Sequence, residues 1–145
     1  MTGSGVRRLA AALVAVTVAL TACAGSNDRE QIDTLVRDHV SEFAAKEAGR
    51  FAADFASTCQ VSVTQFQRAF AALGTQKISA DIRSVTVTSL AGDTATATAS
   101  GTLTVGLRSL PLSGATGTRE FRLVKEGGSW KIANCPASST ATPSG

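Results

Sequence analysis

The stretch Thr94 to Leu107 constrains the fold most. Its residues alternate almost without a break: Ala95, Ala97, Ala99, Leu103, Val105 and Leu107 fall on one face, and Thr94, Thr96, Thr98, Thr102 and Thr104 on the other. A period of two belongs to a strand, because successive side chains leave a pleated backbone on opposite sides. A strand with one apolar and one hydroxylated face needs a second layer over the apolar side, so this chain must build a sheet and something to lie on it. The small alanines call for bulky side chains opposite, and Phe43 is the candidate. Gly101 and Gly106 interrupt the run. Glycine inside a strand marks a bulge or a close backbone approach, so the strand is expected to bend.

The neighbouring segments supply the rest of the sheet. Residues 78 to 90 are rich in Ile, Val, Thr and Ser, with the clearest alternation around Val85 and Val87, and Ala91-Gly92-Asp93 forms a turn into the long strand. Residues 108 to 117, with Pro111, are expected as a loop. Thr118 to Glu126 follow as a strand with Phe121 and Leu123 on one face, and Gly127-Gly128 turns it into a last strand, Ser129 to Cys135, that carries Trp130 and Ile132. Pro136 ends that strand, and the Ser, Thr, Ala, Pro and Gly of the last residues are expected to be disordered.

Before residue 77 the period is helical. Ile32, Leu35, Val36, Val40, Phe43 and Ala44 recur at spacings of three and four, with Arg29, Asp33, Arg37, Glu42 and Lys46 on the other side. The spacing predicts a helix over 28–48, capped by Asn27 or Asp28 and ended or kinked by Gly49. A second helix over 50–58 carries Phe51 and Phe55 one turn apart. Ser62-Val63-Thr64-Gln65 reads as a capping box for a third, with Val63, Phe66, Phe70 and Leu73 in one stripe and Gly74 as its stop. The chain therefore reads as α+β: three N-terminal helices packed on a curved antiparallel sheet, in one domain.

The N-terminus reads differently. Arg7 and Arg8 precede an apolar run, Leu9 to Ala22, of about fourteen residues where a membrane-spanning helix needs roughly twenty. The run ends in Leu20-Thr21-Ala22-Cys23: aliphatic, hydroxylated, small, cysteine. This resembles a bacterial lipoprotein signal. The resemblance implies that residues 1–22 are removed and that the Cys23 thiol receives diacylglycerol, with acyl chains such as palmitate. Residues 23–28 then form a lipidated, flexible tether, 29–136 the domain and 137–145 the tail. The protein is expected to be exported and anchored to the outer face of the cell membrane, with the membrane as its first partner. Arg7-Arg8 carry only part of a twin-arginine motif, which favours general secretion.

Removal of that segment changes the charge. Without Arg7 and Arg8 the 14 basic residues become 12, against 11 acidic, a net charge near +1. No basic stripe interleaved with aromatics remains, so no nucleic-acid partner is expected. It also changes the cysteine count. With Cys23 acylated, Cys59 and Cys135 remain as an even pair in an exported domain, for which a disulfide is the expectation. One point opposes it: Cys135 has the parity of Lys131 and Ala133, so on a regular strand it would face away from Trp130 and Ile132. Two isolated cysteines and one distant histidine lack metal-ligand spacing, so neither metal nor cofactor is expected.

Three helices followed by a curved sheet ending in Gly-Ser-Trp-Lys-Ile resemble the nuclear transport factor 2-like, or cystatin-like, superfamily, and in particular its small lipoproteins of mycobacteria and other actinobacteria. The resemblance is carried by Lys46 to Phe55 through Cys59, by the Gly92-Asp93 turn, and by Glu126 to Ile132 before Cys135. It implies a cone-shaped sheet closed by helices, often with a pocket, and often a homodimer through the sheet face. It includes isomerases and dehydratases beside members without catalysis, so fold alone does not assign an activity.

Two residues could carry chemistry if the cone is open. His39, the single histidine, sits among Leu35, Val36 and Phe43 on the apolar side of the first helix, where it is either a pocket base or a core-edge ring bonded to a backbone group. Asp54, flanked by Phe51 and Phe55, is either its partner in an isomerase or hydratase site or a solvated carboxylate paired with Arg50 one turn away. Asp81 and Glu120 fall outside any pocket, and without Tyr the chain has no phenolic donor. The favoured reading is a lipid-anchored envelope module that binds a small apolar ligand or a protein partner; an enzyme using His39 and Asp54 is the alternative.

Overall fold

The computed structural model describes residues 19–112 and 117–137, with side chains from residue 25 onward. Three helices come first: α1 (Ala19–Ala44), α2 (Ala48–Ala53) and α3 (Val63–Ala72), with a 3-10 turn at Ser57–Cys59. Five strands follow: β1 (Ile78–Ala91), β2 (Thr94–Val105), β3 (Arg108–Pro111), β4 (Thr118–Glu126) and β5 (Ser129–Ile132). The chain is α+β, its helices followed by a curled antiparallel sheet in the order β1-β2-β4-β5, with β3 beside β2. Among the described residues no helix is long and apolar enough to cross a membrane.

The Thr94–Leu107 stretch is strand through Val105, and its alternation of burial holds through Gly101. Ala95, Ala97 and Ala99 are buried, in one core with Ile32, Val36 and Val40 of α1, Phe121 and Leu123 of β4, and Trp130 and Ile132 of β5. Leu107 departs from it: with Gly106 at φ +63° it forms the tight turn into β3 and is fully exposed. The loop expected over 108–117 is therefore in part a strand, because Arg108 to Pro111 pair back along β2 from Val105 to Thr102. Pro111 is accommodated at the end of this short edge strand, where no ladder donor is needed.

Gly101 is the switch point of the sheet. On one side β2 pairs with β1 along its whole length, while on the other it pairs with β4 up to Ser100 and with β3 from Thr102. The Gly101 amide donates to the Gly117 carbonyl at 3.0 Å and its carbonyl accepts from the Leu112 amide at 3.1 Å. A Cβ here would run into the carbonyl oxygen of Asp81. The expectation of a close approach at this glycine is met.

β1 keeps its apolar residues inward by changing register twice, between Ile82 and Ser84 and between Val87 and Ser89. Each bulge moves the alternation by one residue, from Ala80 and Ile82 to Val85 and Val87 and back to Leu90, all of which pack on the core. The carbonyls just ahead of the bulges are taken by α1: Arg37 donates to Ile82 O at 2.9 Å and Arg29 to Val87 O at 3.1 Å. Both arginines were expected on the solvent side. A guanidinium on a long stem reaches the sheet from the flank of the helix, and Asp33, paired with Arg37 at 2.5 Å, holds that head in place.

The start of α1 also differs from expectation. Residues 24–28, expected as a flexible tether, are helical, and neither Asn27 nor Asp28 caps the helix because it begins at Ala19. Asp28 instead accepts from Lys125 Nζ at 2.8 Å and from Trp130 Nε1 at 3.0 Å, tying the helix to the β4–β5 hairpin. These two hydrogen bonds hold its carboxyl below the usual carboxylate range. Of the segment expected as a signal, residues through 18 lie outside the described residues, as do residues 113–116, the expected tail from residue 138 and the Cys23 side chain.

α1 ends at Ala44 rather than Gly49. Lys46, at φ +58°, takes the left-handed position, and its ammonium donates to Gly74 O at 2.7 Å and Gln76 O at 2.8 Å just after α3. α2 is shorter than the predicted helix and gives way to Phe55, which forms a parallel bridge to Ile132. α3 carries the expected cap, with Ser62 Oγ accepting from Gln65 N at 3.2 Å, but Val63 is exposed rather than part of its buried stripe. Cys59 and Cys135 meet at disulfide distance, with their Cα atoms 5.0 Å apart. β5 ends at Ile132, so the pleat parity that opposed the bridge does not extend to Cys135.

Candidate functional site

Five phenylalanines and a histidine pack face and edge where α1, α2 and α3 converge. Phe43, expected against the β2 alanines, instead meets Phe51 and Phe70, with centroids 5.8 and 5.7 Å apart. Phe51 lies near the centre of the group, edge-on to Phe55 and Phe66 at 5.4 and 4.9 Å. Its other contact is His39, whose ring stacks on it at 4.2 Å with planes 14° apart, while Phe55 and Phe121 stand edge-on to that imidazole.

His39 is only 6% exposed. A buried imidazole needs a partner, and it finds the Asp54 carboxylate: Nδ1 and Oδ2 lie 3.0 Å apart. With Asp54 ionised, Nδ1–H donates and the ring is fixed in that tautomer. The partner expected for each residue in its non-catalytic alternative is thereby corrected. His39 bonds to a carboxylate and not to a backbone group, and Asp54 pairs with His39 rather than with Arg50, which stands 3.6 Å from Glu47. The geometry follows from the fold: Asp54 is the residue that closes α2, and its carbonyl accepts from Ile132 N at 2.8 Å, which turns its side chain back toward α1.

A third member, Glu42, was assigned to the polar side of α1. It stands three residues after His39, on the same face of the helix, and that spacing was the signal for it. Its Oε2 is buried with no hydrogen-bond partner. Burial foremost, and then the Asp54 carboxylate with Asp38 and Glu47 nearby, push the Glu42 carboxyl up to about 7. His39, Glu42 and Asp54 each offer a ligand atom within 4.8 Å of the others. One imidazole and two carboxylates so placed can orient a base, share a proton or hold a divalent cation.

Two open grooves mark the described surface elsewhere. One runs along α1 past Asn27, Glu30, Thr34 and Asp38, and the other lies between the start of α3 and Pro136. His39, Glu42 and Asp54 line neither. Asp81 and Glu120 are exposed, in keeping with their exclusion from any pocket. No protein-family model matches the chain, and no curated protein matches it in sequence.

Proposed function

We propose that the protein is a lipid-anchored module of the bacterial cell envelope, of the nuclear transport factor 2-like kind, that works by binding a protein partner. The observation that carries the choice of a protein over an apolar ligand is the packing of the interior. Phe55, Phe66, Phe70, Phe121 and Trp130 are all buried where a carrier would keep its cavity. Recognition then falls to the outer sheet face, where Thr86, Thr98 and Glu120 align across β1, β2 and β4, and Ser84, Ser100 and Thr118 form the next row. Hydroxyls and charges arranged on a rigid sheet suit a polar protein surface.

The anchor fits this arrangement. Diacylglycerol on Cys23 would sit five residues ahead of Asp28, a helical rise of about 7.5 Å. Because Asp28 is fixed to Lys125 and Trp130, the lipid would hold the domain close to the membrane with its β4–β5 end set relative to it. The test is crosslinking and pull-down from detergent-solubilised envelope with the acylated protein, beside a Thr86→Lys/Thr98→Lys variant. A partner lost in the variant supports the reading, and capture of a second copy of this chain identifies the partner as itself. A stoichiometric lipid with no protein would overturn it.

The enzyme reading has one observation in its favour, the 3.0 Å His39–Asp54 contact with a second carboxyl beside it. An isomerase or hydratase using this pair would lose turnover in His39→Ala/Asp54→Ala. Unchanged ligand binding and phenotype in that folded variant would remove catalysis from the site.

A further inference from the structure

His39 and Glu42 stand three residues apart on α1, so their side chains leave one face of the helix. Asp54 closes α2, and the hydrogen bond from Ile132 N to its carbonyl sets it opposite them. One ligand atom from each of the three lies within 4.8 Å of the other two. A divalent first-row metal with bonds of about 2.1 Å holds neighbouring ligand atoms roughly 3.0–3.4 Å apart. His39 Nδ1 and Asp54 Oδ2, at 3.0 Å, already have that separation. A turn of the Glu42 side chain brings its oxygen to the same distance.

Two observations distinguish this group from a patch of surface acids. Its His39 side chain is only 8% exposed, and a buried imidazole is a nitrogen ligand that such patches lack. Glu42 Oε2, in turn, is buried with no hydrogen-bond partner, where an ionised oxygen forfeits its hydration without compensation. The cations of the same elements are engaged elsewhere. Arg50 stands 3.6 Å from Glu47, Lys131 donates to the Ala53 carbonyl at 2.7 Å, and Lys46 is held by Gly74 and Gln76. α3 packs on α2 with Phe66 and Phe70, which bring no charge, while Asp38 and Glu47 add to the negative field at Glu42.

We infer that His39, Glu42 and Asp54 bind one divalent first-row metal ion, such as Zn2+, at the junction of α1, α2 and β5. The donors select this class: one imidazole with two carboxylates suits Zn2+ better than Ca2+ or Mg2+, which favour oxygen alone, and there is no thiolate to select Cu+. The charges also match, since the two carboxylates neutralise a dication. At Nδ1 the ion takes the place of the proton directed at Asp54, and the neutral ring carries its proton on Nε2 instead. Three protein ligands leave a coordination position for water. Linear spacing hides the site, because its third ligand stands across the break between α1 and α2. The inference rests on neither the partner reading nor the enzyme reading above.

The test is Zn2+ binding by the full chain, stripped with chelator and dialysed with its disulfide intact, followed by titration calorimetry and by the urea midpoint. One ion per chain should bind, and excess Zn2+ should raise the midpoint. Glu42→Gln and Asp54→Asn should each weaken binding at least about 10-fold, whereas Asp81→Asn, at an exposed carboxylate of β1, should leave it unchanged. Should the ligand variants fail to fold, Co2+ added to the unaltered protein reports the site by NMR: its paramagnetism should broaden the His39 imidazole and the Glu42 and Asp54 amides before any other signal. Absence of Zn2+ binding overturns the site. So do affinities unchanged in Glu42→Gln and Asp54→Asn, an equal loss in Asp81→Asn, or broadening that begins at exposed carboxylates such as Asp81 and Glu120, each of which would leave an adventitious ion only.

Discussion

Removing the Cys59–Cys135 link by Cys59→Ser/Cys135→Ser should leave the native structure nearly unchanged and lower its stability greatly. The reason lies in what already holds these ends together. Ala56 N donates to Ile132 O and Ile132 N to Asp54 O, both at 2.8 Å, and Phe55 bridges Ile132, so the segments on either side of the sulfurs stay paired without the bond. The effect then falls on the unfolded chain. The cysteines are 76 residues apart, and closing a loop of that length removes chain entropy equivalent to about 4.5 kcal/mol at room temperature. That is a large part of the roughly 5–15 kcal/mol available to a domain of this size. With a urea slope of about 1.5 kcal/mol per molar, the midpoint should move down by roughly 3 M, and the melting temperature by about 20 °C. Intact mass before and after reduction reports the bond, and amide exchange at Ala56 and Ile132 reports the native pairing. Unchanged exchange with an unchanged midpoint would refute the argument, as would early loss of the Phe55–Ile132 pairing, which would place the link's contribution in the folded state.

Three further perturbations follow from the same contacts. Gly101→Ala should destabilise the domain by about 1–3 kcal/mol, because its Cβ has no room beside the Asp81 carbonyl; Gly49→Ala, in open space within α2 and without a left-handed φ, should hold or slightly raise stability, and urea midpoints of the two should separate them. Trp130 is the single tryptophan, so its fluorescence reads the Asp28 anchor directly. Because hydrogen bonding to Lys125 and Trp130 holds the Asp28 carboxyl low, the stability it supplies is present above the ordinary carboxylate range and lost as pH falls below it; the acid-induced emission change should be present in the native protein and absent in Asp28→Asn. Cys23→Ala should move the protein from the membrane fraction to soluble or uncleaved forms on cell fractionation, and a variant that stays lipid-labelled and mature would remove the anchor.

How much of this was legible depends on the range of the interaction. Ala95, Ala97 and Ala99, the Ser62 cap and the Gly127-Gly128 turn are set by residues a few positions apart, and period and turn chemistry found them. The β1 bulges were written in the sequence as a change of parity between Ile82 and Val85 and again between Val87 and Leu90, but an ear tuned to one register hears only the middle run. What resisted was long-range. Arg29 and Arg37 look solvated on a helical wheel, and only a bulged strand 45 residues or more away gives their guanidinium groups carbonyls to bind. Asp28 looks like a cap until Lys125 and Trp130, about a hundred positions later, claim it.

The site shows the same division in a sharper form. Sequence spacing offered Asp54 a partner one turn away in Arg50, and such i,i+4 pairs are weak, worth a few tenths of a kcal/mol on an exposed helix. The alternative, a buried imidazole with an unmet ring nitrogen, costs far more to leave unpaired. Once α1 and α2 pack, the stronger demand therefore takes the carboxylate, and Arg50 turns to Glu47. Glu42 is drawn in by the same logic: it lies three residues from His39, on the face that packing buries, and its charge becomes a liability through that burial first and then through the Asp54 carboxylate beside it. Local propensity placed each of these groups on a helix, and the desolvation of one histidine decided which of them would meet.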